Sequence, residues 1–325
     1  MIKILVVGVG RMGFAHALAL SEIDQFEIVG LVARDFSNWP HVTEHFADVR
    51  LYNDYKTALA HTKPDAVSIS SYTDTHADYA CLAMEAGADV FIEKPLATNF
   101  ADVKKVIACA QKTKRKLLVG LLLRHHIAWQ KFTELCRTLS PPLSFKFTSS
   151  QYSIGQDWQT HKNILNAGLS PVVDVGIHYL DMMEQLCQSE VATIDARGDM
   201  TSDQVTVEND IKLNITYQNG TSLNIESAFG PKVDPDFINI RKAQSGDDSV
   251  EMSEDNRVLY HHNGLSEIFE FSPEQLEATL KNQLLYFLKI IEQDLNLDQH
   301  HNAVYCSHKI ALASENQLNN FNKAL

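Results

Sequence analysis

Apolar residues recur along this chain on two different periods, and the change comes near residue 121. Before it, short apolar runs are separated by stretches with helical spacing. The pattern predicts strands over residues 2–7, 26–32, 49–52, 65–70, 89–92 and 116–121, with helices over 11–20, 42–46, 55–60, 75–86 and 100–113 between them. Gly87 ends the fourth of these helices and Asn99 caps the fifth. Such alternation implies a doubly wound parallel sheet of the α/β class, with ligands at the carboxyl ends of its strands. After residue 121, helical patterns over 126–139 and 172–186 lead into a period of two. Val205, Val207, Ile211, Leu213, Ile215 and Tyr217 alternate with Thr206, Lys212, Asn214 and Thr216. Asn219-Gly220 is a hairpin signal, and Leu223, Ile225 and Phe229 continue the return strand. This half reads as an α+β domain with a large, mostly antiparallel open sheet. Its outer face (Lys212, Asn214, Thr216, Asn224, Glu226) is half polar, which suits a homodimer or homotetramer interface or plain exposure. Closing helices over 273–293 and 303–318 should pack back. The expected division is therefore 1–121 and 122–325.

The first strand runs directly into Gly8-Val9-Gly10-Arg11-Met12-Gly13. The first glycine permits a tight turn, the second lets a pyrophosphate approach the backbone, and the third lets the next helix pack on the strand. With a strand before and a helix after, this is the fingerprint of a dinucleotide-binding Rossmann domain, phosphates lying on the helix N-terminus beside Arg11 and Met12. Where an NAD site carries an acid at the end of the second strand, this chain has Ala33-Arg34. A small residue leaves room for a 2′-phosphate and a guanidinium can meet it, so NADP is expected rather than NAD. Asp35 is the alternative ribose partner. Ser71, Tyr72 and Thr73, with His76, and Glu93-Lys94-Pro95 follow later strands and should complete the cofactor site.

Composition narrows the class. A length of 325 residues, 45% of them apolar, suits two domains. No run of 18 uncharged apolar residues and no leader-like start are present, so a cytoplasmic protein without a membrane span is expected. A net charge of −13 argues against a nucleic-acid partner. Five cysteines (Cys81, Cys109, Cys136, Cys187, Cys306) lack CxxC spacing, which suits reduced thiols and no metal site. The pairs His261-His262 and His300-His301 have no acids at ligand spacing and read as surface.

A second cluster is Asp174-Val175-Gly176-Ile177-His178-Tyr179-Leu180-Asp181. An i, i+4 spacing on one helix puts Asp174 within reach of His178. Together with GVGRMG and its following His16, the stretch from Pro64 to Ala97 that contains the EKP tripeptide, and VGLLLRHH from Val119 to His126, this cluster resembles the glucose–fructose oxidoreductase, inositol dehydrogenase and rhizopine-catabolism (Gfo/Idh/MocA) family. The resemblance covers nearly the whole chain. It implies an NAD(P)-dependent dehydrogenase with Lys94, Asp174 and His178 as the catalytic trio, Glu93 and Pro95 shaping the loop under the nicotinamide, and a cis bond at Lys94-Pro95. The chain departs from the family at Asn166–Pro171, which keeps one glycine, at Tyr72-Thr73, and at Leu123.

The trio implies a mechanism. A base removes the hydroxyl proton as hydride leaves for the nicotinamide, and histidine titrates in the useful range. Lys94 stabilises the developing charge on the same oxygen, Asp174 orients His178 or holds a neighbouring hydroxyl, and in reduction His178 or Lys94 donates the proton, so the pair rather than one residue is assigned. Arg124, Tyr152, Trp158 and Lys162 are the candidate substrate contacts, with Trp158 readable equally as a sugar platform or a buried anchor. One lysine between residues 151 and 190 is too little cation for a diphosphate, which favours an uncharged sugar or cyclic polyol. Two other readings stand beside the dehydrogenase: a non-catalytic NADP-binding sensor, and a glycosidase that uses a permanently bound nicotinamide.

Overall fold

The computed structural model describes residues 1–322. The chain divides into two compact units, residues 1–122 with 278–305, and residues 123–277 with 306–325.

In the first unit, strands β1 (Ile2–Val7), β2 (Phe26–Val32), β3 (Leu51–Tyr52), β4 (Ala66–Ile69), β5 (Asp89–Ile92) and β6 (Leu117–Val119) form one parallel sheet in the order β3-β2-β1-β4-β5-β6. Helices α1 (Arg11–Ser21), α2 (Pro40–His45), α3 (Tyr55–Thr62), α4 (Thr73–Glu85) and α5 (Phe100–Thr113) alternate with the strands. All four residues of β4 are buried, as are Ile4 to Val7 of β1, the signature of strands covered on both faces. Asn99 caps α5 by accepting from the Asp102 amide, and Gly87 takes the positive φ that ends α4's turn.

The second unit holds α6 (Ile127–Cys136), β7 (Ser144–Thr148), β8 (Gln151–Tyr152), α7 (Gly155–Asn166), a π-helical turn (Val172–Gly176), α8 (Ile177–Leu186), β9 (Val191–Asp199), β10 (Asp210–Tyr217), β11 (Ser222–Gly230), β12 (Arg241–Ser245), β13 (Asp248–Met252), β14 (Val258–His262), β15 (Leu265–Phe269) and α9 (Pro273–Glu277). Its mixed sheet has the order β15-β14-β13-β12-β7-β11-β10-β9, with β8 paired to β11. Only the pairings of β11 with β7 and β8 are parallel. The hairpin at Asn219-Gly220 joins β10 to β11 with Thr216 opposite Ser222, and Gly220 has φ +85°. Ile211, Leu213, Ile215 and Tyr217 face the core while Lys212, Asn214 and Thr216 are exposed. Trp129, Phe132, Phe147 and Tyr179 form an aromatic cluster, with Tyr179 stacked on Phe147 at 4.7 Å, that seats α6 and α8 on the sheet.

Four expectations change. The stretch 273–293 is two helices, α9 and α10 (Thr279–Glu292), and α10 belongs to the first unit rather than to a continuous 122–325 domain. Leu284, Phe287 and Ile290 of α10 are fully buried in that unit's core, where Phe287 lies against Phe26 and Phe91. Residues 278–305 also bring the start of α11 (Asp298–Asn322) into this unit. His300 and His301 are buried, not surface: His300 Nε2 accepts from the Val119 amide and His301 Nε2 meets the Leu117 carbonyl, both at 3.0 Å. They cover the open edge of β6, whose backbone needs partners. Lastly, residues 172–186 are a π turn followed by α8, not one α-helix. Among the described residues no helix is long and apolar enough to cross a membrane.

Candidate active site

The carboxyl edge of the parallel sheet continues past its strand ends as a row of backbone hydrogen bonds. Gly8, Ser70, Glu93 and Gly120 donate in turn to Val32, Val7, Ile69 and Ile92 at 2.7–2.9 Å. Each candidate loop of this unit therefore starts level with its neighbours. Gly8 has φ +89°, and a Cβ there would meet the Ser70 carbonyl oxygen at 2.5 Å. A Cβ on Gly13 would overlap the Gly8 carbonyl, so this glycine serves the close packing of α1. Gly10 is different, since a Cβ there would meet nothing within 4 Å. That glycine faces open space at the N-cap of α1, where no side chain caps the amides and no acid occupies the first turn. Uncapped amides with the positive end of the helix dipole make an anion site. These residues fit a dinucleotide pyrophosphate, with Arg11 exposed and Met12 partly buried at the rim.

Beyond β2, Asn53 Nδ2 donates to the Ala33 and Arg34 carbonyls and fixes the turn. Arg34 is exposed, its guanidinium 4.8 Å from the ring centroid of Tyr72. Asp35 is committed elsewhere, accepting from the Ser37 amide at 2.8 Å and hydroxyl at 2.7 Å, which holds its carboxyl below the usual range. Tyr72 precedes α4 as an N-cap without a side-chain bond, Thr73 is the first helical residue, and the Ser71 hydroxyl pairs with Thr75. His76, expected at the cofactor, is instead only 1% exposed. Its ring nitrogens lie 2.9 Å from the Pro95 carbonyl and 3.1 Å from the Ser71 carbonyl, so both face loop backbone rather than a ligand, and the one N–H of a neutral ring donates to one of the two. Burial lowers its pKa. The Lys94-Pro95 bond is cis, and the Lys94 amide donates to Glu93 Oε2 at 3.1 Å.

In the second unit Asp174 sits inside the π turn and His178 in the first turn of α8. A π turn has one extra residue, so Asp174 and His178 are not stacked by simple α-helical spacing. His178 lines a cavity of about 110 Å³ with Leu123, Arg124, Trp129, Gln130, Thr133, Arg137, Asp181, Met182 and Gln185. Arg124 reaches this cavity but is bound to Asp181 through two hydrogen bonds of 2.7 and 2.6 Å, and the Asp181 side chain is 3% exposed. Nothing in the sequence ties these two, 57 residues apart. Trp158 resolves as a buried anchor, not a sugar platform: it packs with Leu165 and Val205 and closes on Gly230. Lys162 turns to Gln204 at 3.1 Å. Tyr152 is exposed on β8.

Comparison with known proteins agrees with both folds. The model of an oxidoreductase family with an NAD-binding Rossmann fold (GFO_IDH_MocA) matches residues 2–121, and that of the GFO/IDH/MocA C-terminal domain matches residues 138–237. Inositol 2-dehydrogenase of Salmonella typhimurium is 26% identical over 234 residues, 69% of this chain and 66% of that protein. D-glucoside 3-dehydrogenase of Escherichia coli is 23% identical over 248 residues, 70% of each chain. A solved oxidoreductase from Thermotoga maritima superposes with a TM-score of 0.81 at 18% identity, covering 96% of this chain and 95% of its own.

Proposed function

The chain belongs to the Gfo/Idh/MocA family of oxidoreductases, and on that footing we propose that it interconverts a secondary alcohol and a ketone of a sugar or cyclic polyol with NADP as cofactor. The observation that carries the cofactor reading is the turn after β2, where Arg34 is exposed while Asp35 is held by Ser37. When bound, the dinucleotide supplies the carbon that accepts or donates hydride. The α1 amides hold its pyrophosphate. Arg34 meets the 2′-phosphate with charge-assisted hydrogen bonds. Lys94 hydrogen-bonds the reacting oxygen and stabilises its negative charge. The pair of His178 and Lys94 takes the hydroxyl proton in oxidation and returns it in reduction, and Asp174 orients His178 or holds an adjacent hydroxyl.

The named substrates of the relatives, inositol and D-glucosides, are uncharged rings with vicinal hydroxyls. Lys162, the one lysine or arginine between residues 151 and 190, is engaged with Gln204, and Arg124 is engaged with Asp181, which supports an uncharged substrate here too. The exposed row of Lys212, Asn214 and Thr216 supports a homodimer or homotetramer through the second sheet, and a monomer by light scattering refutes that part.

Fluorescence titration with NADPH and NADH tests the cofactor assignment without a known substrate. NADPH should bind much more tightly, and Arg34→Ala should remove the preference. Equal or tighter binding of NADH overturns it, and binding of neither overturns the oxidoreductase reading.

A further inference from the structure

The peptide that carries Lys94 is tied to a buried chain of polar contacts that begins in α1. His16 is fully buried, its ring edge-on to Phe91. Its Nε2 lies 3.0 Å from Glu93 Oε1, and its Nδ1 lies 3.3 Å from the Ser68 hydroxyl and 3.2 Å from the Ser70 hydroxyl. The other Glu93 oxygen accepts the Lys94 amide. Nδ1 shares hydrogen bonds with the two serine hydroxyls, while Nε2 meets Glu93 as a close polar contact rather than an aligned hydrogen bond. The Glu93 carboxylate is thus engaged at both oxygens, one accepting from the Lys94 amide and the other lying 3.0 Å from His16. One residue further on, His76 holds the Pro95 carbonyl. The Lys94 peptide is thus gripped on both sides, and every group in the chain lies in the first unit.

A wholly buried imidazole needs polar partners, and an apolar side chain in its place would take a contact from Ser68, Ser70 and Glu93 alike. Those partners converge on the residue next to Lys94. We propose that His16 and Glu93 are positioning residues that hold the Lys94 peptide in its reactive geometry, an inference that rests on the role given to Lys94 above. Glutamine at residue 93 puts an NH2 donor in the place of one carboxylate oxygen, so only one of the two neighbours still faces an acceptor. Glutamine at residue 16 can still donate to Glu93 from its amide nitrogen.

The test uses the full chain carrying His16→Leu, His16→Gln or Glu93→Gln. Three readouts are taken: amide exchange of the segment 93–97, affinity for NADPH, and kcat and KM with NADP and myo-inositol or D-glucose as probe substrates. His16→Leu and Glu93→Gln should speed exchange of the segment and lower kcat by about tenfold or more, as for a lost buried polar contact, and in His16→Leu KM and NADPH affinity should stay within about twofold. His16→Gln should restore most of both, which a role in packing alone does not predict. If His16→Leu does not fold, Glu93→Gln decides. Unchanged exchange overturns the proposal. Faster exchange with wild-type kcat overturns it as well, while the role of Lys94 itself is decided by Lys94→Ala. Should the wild type turn over neither probe, exchange still decides, with protection lost in His16→Leu and kept in His16→Gln as the supporting result.

Discussion

Glu315, on α11, is buried, accepts the Ser170 hydroxyl and lies near buried Glu208. Burial is the main cause that pushes its carboxyl from 4.5 up to about 7, with repulsion from Glu208 adding and the Ser170 hydrogen bond opposing. A raised acid binds its proton more tightly in the native state than in the unfolded chain. Stability therefore falls as pH climbs from about 4.5 to about 7 and is level on either side. Between pH 5 and pH 8 the loss from this one group works out at about 2.5 kcal/mol. Glu315→Gln keeps an acceptor for Ser170 and cannot ionise, so relative to wild type it should gain about that much stability between those pH values. Urea unfolding followed by tryptophan fluorescence is a suitable assay, because Trp129 and Trp158, two of the three tryptophans, lie in the same unit as Glu315. A difference between variant and wild type that stays constant from pH 5 to pH 8 refutes the reasoning. Ser170 also accepts the amide of Asp174, so loss of this contact should be felt at the π turn.

Gly10→Ala should fold with wild-type stability and lose NADPH binding, because its Cβ enters open space, whereas Gly13→Ala should destabilise the first unit through its clash with the Gly8 carbonyl. Circular dichroism melts beside NADPH titrations separate the two, and equal behaviour would show that the turn is only structural. Arg124→Met leaves the Asp181 carboxylate buried without its partner and should cost about 3–5 kcal/mol, with most recovered in Arg124→Met/Asp181→Leu. A loss of under about 1 kcal/mol by urea unfolding would mean that water screens the pair. Lys94→Ala should cut turnover by about 100-fold or more, and a near-normal rate removes Lys94 from the chemistry.

Much of the fold was legible because local chemistry decides it. The β1 run, the Gly8-Gly10-Gly13 turn, the Asn99 cap and the Asn219-Gly220 hairpin each follow from side-chain size, backbone freedom or a nearby hydrogen bond. The strands β12 to β15 were not anticipated, nor was α7, since short segments with mixed burial carry little periodicity. Amphipathic α10 announces a face to bury, but only the packing of Phe287 on Phe26 shows which core takes it. Trp158 reads the same as a platform or an anchor until Leu165 and Val205 close around it. The chain by itself determined the two kinds of sheet, the cofactor turn and the residue types available for proton transfer. Tertiary structure alone decided which charges were spent internally. Arg124 on Asp181, His76 on the Pro95 carbonyl and His16 on Glu93 are pairings made by distance in space, while Asp35 on Ser37 is a local turn. A polar side chain's role depends on the partner it finds once water is excluded, and three of these four partners lie 19 to 77 residues away.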